Sequence, residues 1–254
     1  MIDDNKIFLL EEIVKKNFAA KYKDSFLGII WSVLKPLMVM ILLTIIFATL
    51  FGKDIINYPV YFLSGKCIFD FFNLSTSLST NSLKGNKNIL CRTNAPKYIF
   101  VLGSVISEFI NFLITLVILV FVMIVTNVSF NFVFMPLSII PVLSLVMISI
   151  GISLMLSIFC VYYTDVQHLW SIVSLLLMYA SAIFYPMDII PNPFHDYMIL
   201  NPIFWVIDQF RNLVIYETIP DPLNIINLLL ISLITLVIGI LIFKKFEHKI
   251  IMKF

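Results

Sequence analysis

From Leu223 to Phe243 the chain passes twenty-one residues without a charged side chain, and from Phe132 to Val161 it passes thirty. A helix of about 20 apolar residues crosses the hydrocarbon core of a bilayer, where every backbone polar group must be satisfied within the segment. Segments of this kind recur along the chain and leave little room for a water-soluble fold. Composition agrees, with 61% hydrophobic and 13% charged residues and a mean hydropathy of +1.03. A soluble domain is roughly half apolar and a quarter charged. The expected class is an all-α polytopic membrane protein, one transmembrane domain over residues 1–254.

Six spans are expected, at 33–51, 59–80, 98–126, 132–161, 169–185 and 223–243. At about 20 residues each they use roughly 120 residues. The remainder is scattered among loops and tails, so any ATP-hydrolysing motor is expected on a separate chain. The first span is entered through Lys35-Pro36, where proline is tolerated in an opening turn. Before it, Ile7, Leu10, Val14, Phe18 and Tyr22 recur at helical spacing with lysines mostly off that stripe, which predicts an amphipathic helix within residues 1–32. It is expected to lie in the headgroup region, or else to pack as a solvated helix on a partner. No cleavable signal peptide is evident, and the first span is expected to serve as the insertion signal.

Orientation follows from Lys and Arg. Fourteen of the seventeen fall in the N-terminal segment, the loop 81–97 and the tail 244–254. By the positive-inside rule these three regions are cytoplasmic, and an even number of spans agrees. The intervening segment 186–222 is acidic and rich in proline and aromatic residues. Prolines at this density prevent one continuous helix. Asn201-Pro202 reads as a break between two short helices that dip back from the outer surface, with Pro186, Trp205, Asp208 and Arg211 among them. The other reading of this segment is an aromatic interface anchor.

Chemistry-bearing residues concentrate on two helices. Lys66, Asp70, Asn73, Ser77 and Thr80 line one face of the second span, and Ser104, Ser107, Glu108, Asn111 and Thr115 recur on the third. Intramembrane charge facing lipid costs at least about 2.5–3.5 kcal/mol. Both stripes must therefore face protein or water, as the wall of a polar conduit or as helix-to-helix hydrogen bonding, with Lys66 and Asp70 paired at i,i+4. Trp31, Phe69 and Tyr162 are candidate aromatic contacts along the same path. The odd cysteines Cys67, Cys91 and Cys160 fit neither a disulfide framework nor a zinc site. No metal motif or phosphate-binding loop is present, so no metal, nucleotide or cofactor is expected on this chain, and a net charge of +2 points to no nucleic acid.

The stretch from Lys21 through Gly28-Ile29-Ile30-Trp31 to Lys35-Pro36-Leu37 resembles the signature of membrane subunits of type 2 ATP-binding cassette exporters, closest to the group that exports O-antigen, capsule and teichoic acid. Pro96 before the third span, Tyr163-Thr164-Asp165 after the fourth, Ile183-Phe184-Tyr185-Pro186, Leu200-Asn201-Pro202 and Gln209-Phe210-Arg211 follow in the family's order. The resemblance implies half of a homodimeric channel for a lipid-linked polysaccharide or polyol-phosphate polymer, in the plasma membrane, docked on a separate ATPase that carries ATP and magnesium. It implies that Lys84 to Asn94, including Lys87, Asn88 and Arg92, holds the segment that docks on the ATPase. It also implies that Pro186 to Tyr216 closes the exit. Export of a drug or lipid on the same fold is the alternative. Ion-coupled transport and a membrane-embedded acyltransferase are further classes, for which titrating residues or paired carboxylates are the needed signals.

Overall fold

The computed structural model describes residues 4–22, 28, 30–50, 57–93, 95–128, 134–191, 195–250 and 253. Among the described residues the fold is all helical. Four helices are long and apolar enough to cross a membrane: α2 (Ile30–Leu50), α5 (Tyr98–Val125), α6 (Ile139–Tyr162, entered through a 3₁₀ turn at Pro136–Ser138) and α10 (Pro222–Glu247). They answer to the expected first, third, fourth and sixth spans, and the chain is a multi-pass membrane protein.

The expected second span is α3 (Tyr58–Thr80), which forms the centre of the bundle. Val60, Phe62, Leu63, Ile68, Phe69 and Phe72 are almost wholly enclosed by α2, α5, α6, α7 (Asp165–Tyr179) and α9 (Pro202–Val214). Its polar character is compatible with this place because the hydroxyls of Ser64, Ser75, Thr76 and Ser79 bond carbonyls of their own helix one turn back.

The expected fifth span is corrected at both ends. Helix α7 begins at Asp165, whose charge suits a helix N-terminus, and stops at Tyr179 instead of Tyr185. Fifteen residues rise about 22 Å, short of a bilayer core of about 30 Å. The chain then turns through residues 180–186, with Ala182 at φ 49°. Pro36 is a second correction: α2 starts at Ile30, so the proline lies inside the helix instead of in its opening turn, and offers no N–H to the carbonyl of Ser32.

Helix α1 (Asp4–Tyr22) forms as expected but uses a different buried line. Ile13 is its core residue and packs with Leu10 on Gly103 of α5, while Ile7 is 44% exposed. The helix is seated on protein through that line. At the other edge of the bundle α10 lies along α6 at a crossing with no room for side chains. A Cβ on Gly239 would stand 2.4 Å from the carbonyl oxygen of Gly151, and one on Gly151 would stand 2.5 Å from that of Thr235. Ser232 and Ser149, also fully buried, are further small residues on these two helices. The remaining short elements are α4 (Lys87–Arg92), preceded by a 3₁₀ turn at Lys84–Asn86, and α8 (His195–Ile199), preceded by a 3₁₀ turn at Met187–Ile189.

Candidate functional site: a charged groove, a clamp and a basic face

A cavity of about 510 Å³ lies between α2 and the α3/α5 pair, reached by the C-terminal end of α1. Helical spacing places Trp31, Lys35 and Val39 on the α2 wall. Lys66, Asp70 and Asn73 face them from α3, as the polar stripe requires, and Asn111 and Thr115 close the floor from α5. The charges are arranged in pairs. Lys66 bonds Asp70 within α3. Lys21 reaches from α1 to Glu108, 2.9 Å away, and Asn111 donates to the same carboxylate at 3.0 Å. Glu108 is only 6% exposed, and Lys21 is its ion-pair partner. Ser104, Ser107 and Thr115 return their hydroxyls to carbonyls of their own helix, α5.

Three expected pathway residues stand outside this groove. Phe69 is 1% exposed and packs within the core, its ring tilted against that of Phe72. Tyr162 sits at the far end of α6 against Phe246. Ser77 lies one turn beyond the groove and donates to Asn73 at 3.4 Å.

At the opposite end of α3 lies the feature the sequence disclosed least. Four successive carbonyls of the turn after α7 receive side-chain donors. Ala182 accepts from Arg211 Nη1 at 2.8 Å and Tyr61 Oη at 3.2 Å, and Ile183 from Arg211 Nη2 at 3.3 Å. Phe184 accepts from Tyr58 at 3.2 Å, and Tyr185 from Tyr61 at 2.9 Å. Arg211 is 5% exposed, its guanidinium carbon 3.5 Å from the centroid of the Tyr61 ring, which supplies a cation–π partner in place of a carboxylate. Asp208 and Arg211 stand three residues apart on α9 and border the same small cavity. Arg211 turns into the bundle, where a planar fork of donors meets several carbonyls at once, and the two form no ion pair among the described residues. Burial pushes the Asp208 carboxyl above its ordinary range, against the pull of Arg211 and a hydrogen bond from Asn212.

Asn201 completes the clamp. Its Oδ1 accepts from Ile203 N at 3.0 Å and caps the start of α9, with Pro202 following. Its Nδ2 donates to Ala180 O at 3.1 Å and Ser181 Oγ at 2.8 Å. One side chain thus ends α7 and begins α9, which is why the break falls at Asn201-Pro202. Trp205 donates to Ile199 O at 2.7 Å, and Pro186 borders a small cavity of about 180 Å³ beside Asp208 and Arg211.

The basic loop folds as two short helical pieces held by buried Leu83 and Leu90. Lys87, Asn88 and Arg92 are exposed, Lys84 is half-buried, and Asn94 lies outside the described residues. Asn86 accepts from Lys16 of α1 at 2.8 Å, and Lys97 donates to Glu247 O of α10 at 2.7 Å, so the loop is tied to both termini. Tyr58, Tyr61 and Gly65 were not singled out as site residues by the sequence reading. The available signal was the Tyr58-Tyr61-Gly65 spacing of three and four at the head of α3.

Residues 9–215 match the ABC-2 type transporter family. An O-antigen export system permease protein of Klebsiella pneumoniae is 28% identical over 245 residues, covering 95% of this chain and 93% of the relative. A polysialic acid transport protein of Escherichia coli is 20% identical, covering 94% and 93%. A capsule polysaccharide export inner-membrane protein of Neisseria meningitidis serogroup A is 18% identical, covering 92% and 89%.

Proposed function

The chain belongs to the ABC-2 type transporter family, and on that premise we propose that it is the membrane half of an ATP-driven exporter of a lipid-linked polysaccharide or polyol-phosphate polymer. The observation that carries the substrate class is the near end-to-end similarity to three permeases named for O-antigen, polysialic acid and capsule export. A ligand-sized groove with paired charges beside a largely uncovered α2 supports the reading physically. A glycan slides along a polar wall that offers many weak contacts and no tight one, as conduction requires.

In this reading two copies enclose the channel, and ATP and magnesium reside on a separate ATPase chain. Helix α3, with α7 and the clamped turn after it, completes six crossings. Both termini and the basic loop then lie in the cytoplasm, with α1 at the interface. The exposed Lys87–Arg92 helix meets the ATPase. Helices α8 and α9, with the turn held by Arg211 and Asn201, form the re-entrant cap over the exit.

Deleting the gene and staining intact cells for surface polysaccharide tests the substrate class. Loss of the polymer from the surface, with its accumulation inside and recovery on complementation, is the expected result. Unchanged surface polysaccharide refutes it.

A further inference from the structure

The cavity of about 180 Å³ beside the clamp holds chemistry that the clamp leaves unused. Tyr61 of α3, Pro186 and Met187 after α7, and Phe204, Asp208 and Tyr216 from α9 and just past its end border it. Asp208 is only half satisfied. Its Oδ2 accepts from Asn212 at 3.2 Å, while Oδ1 has no donor among the described residues. Arg211 carries the opposite charge on the same wall and is already committed to the carbonyls of Tyr61, Ala182 and Ile183. These two charges decide what kind of ligand is tolerated. A bare anion is repelled by Asp208 and a cation by Arg211, in a partly enclosed place where such terms exceed their value in water. A neutral hydroxyl instead donates to the carboxylate in a charge-assisted hydrogen bond. The rings of Phe204 and Tyr216, the latter 45% exposed, add apolar faces at the same place.

A saturated ring with a rim of hydroxyls and faces of C–H fits that combination, and about 180 Å³ takes one such ring and not two. We propose that this cavity is a subsite for a single neutral pyranose unit of the exported polymer, with Asp208 accepting from a ring hydroxyl and Phe204 and Tyr216 lying against its C–H faces. This rests on the transport reading above and names what the chain recognises in its polymer. The subsite stands at the opposite end of α3 from the charged groove, against the turn that Arg211 and Tyr61 hold. A single carboxylate contact holds a sugar weakly, which a moving chain requires of every seat along its path.

The full chain, purified in an amine-oxide detergent that carries no sugar, is examined by saturation-transfer difference NMR. The probes are the methyl glycosides of glucopyranose, mannopyranose and galactopyranose, with 2-methoxytetrahydropyran as the same ring without hydroxyls. Wild type is expected to transfer saturation to at least one of the three glycosides, with millimolar affinity, and not to 2-methoxytetrahydropyran. Asp208→Asn keeps an acceptor oxygen but loses the charge, and is expected to weaken binding about fivefold, the difference between a charged and a neutral hydrogen bond. Asp208→Leu is expected to abolish it. Transfer to none of the three glycosides by wild type overturns the subsite without reliance on any variant, and equal transfer to 2-methoxytetrahydropyran reduces it to an apolar hollow. Affinity unchanged in both Asp208 variants overturns it too, by placing the sugar elsewhere. Failure of the transport reading shows separately, as unchanged surface polysaccharide in the deletion strain, a result that sugar binding by the purified chain does not touch.

Discussion

Arg211 shows how much one side chain decides in a low-dielectric bundle. Its guanidinium donates to the carbonyls of Tyr61, Ala182 and Ile183, in a bundle where buried backbone groups need partners within the protein. Replacement by methionine keeps the apolar volume and removes the donors, so Arg211→Met is expected to destabilise the purified protein by at least about 1–3 kcal/mol, the cost of an unsatisfied buried group. Thermal unfolding in detergent measures this; an unchanged midpoint contradicts the clamp. Gly65 tests the same geometry from the other side, because a Cβ there stands 2.6 Å from Arg211 Nη2. Gly65→Ala should lower the midpoint in the wild-type background and have little effect once Arg211 is methionine. Non-additivity of that kind is the mark of a direct contact.

At the scale of elements, the four long apolar helices were legible because nothing else explains such runs, and the break at Asn201-Pro202 was legible from proline chemistry. The end of α7 was not. Residues 180–185 are as apolar as the helix before them, and what stops it is donors arriving from Asn201 and Arg211, more than twenty residues away in sequence. Periodicity cannot register a partner that distant. The same limit explains Phe69, placed in the pathway for its aromatic ring but enclosed by side chains from other helices. Conversely, the Lys66, Asp70, Asn73 stripe was read correctly as one face, since spacing alone fixes it. The α6/α10 crossing gives a prediction at this scale. Gly239→Ala and Gly151→Ala each drive a methyl into facing backbone, which cannot rotate away, and are expected to cost about 1–3 kcal/mol or more. Alanine at an exposed α10 position such as Ile234 serves as the control. Equal thermal stability of the glycine variants and that control sinks the close-packing account.

For the molecule as a whole, the groove and the clamp lie at different heights on one helix, α3, while the basic helix Lys87–Arg92 is tied to α1 and, through Lys97, to α10. Since α1 also reaches the groove through Lys21 and Glu108, a displacement of the basic loop by a docked motor has a mechanical route to the cavity wall. Charge reversal by Lys84→Glu with Lys87→Glu is expected to abolish export and motor association while the protein still inserts and is extracted at wild-type levels. Unimpaired export in that double variant removes the loop from the coupling path. The central claim, that this chain transports but draws its energy from a separate ATPase, is tested most directly by reconstitution. Proteoliposomes bearing the purified chain are assayed for ATP hydrolysis and polymer translocation, alone and with the ABC ATPase added. The account predicts neither activity alone and ATP-dependent translocation with the partner; polymer movement driven by an ion gradient in the absence of any ATPase contradicts it.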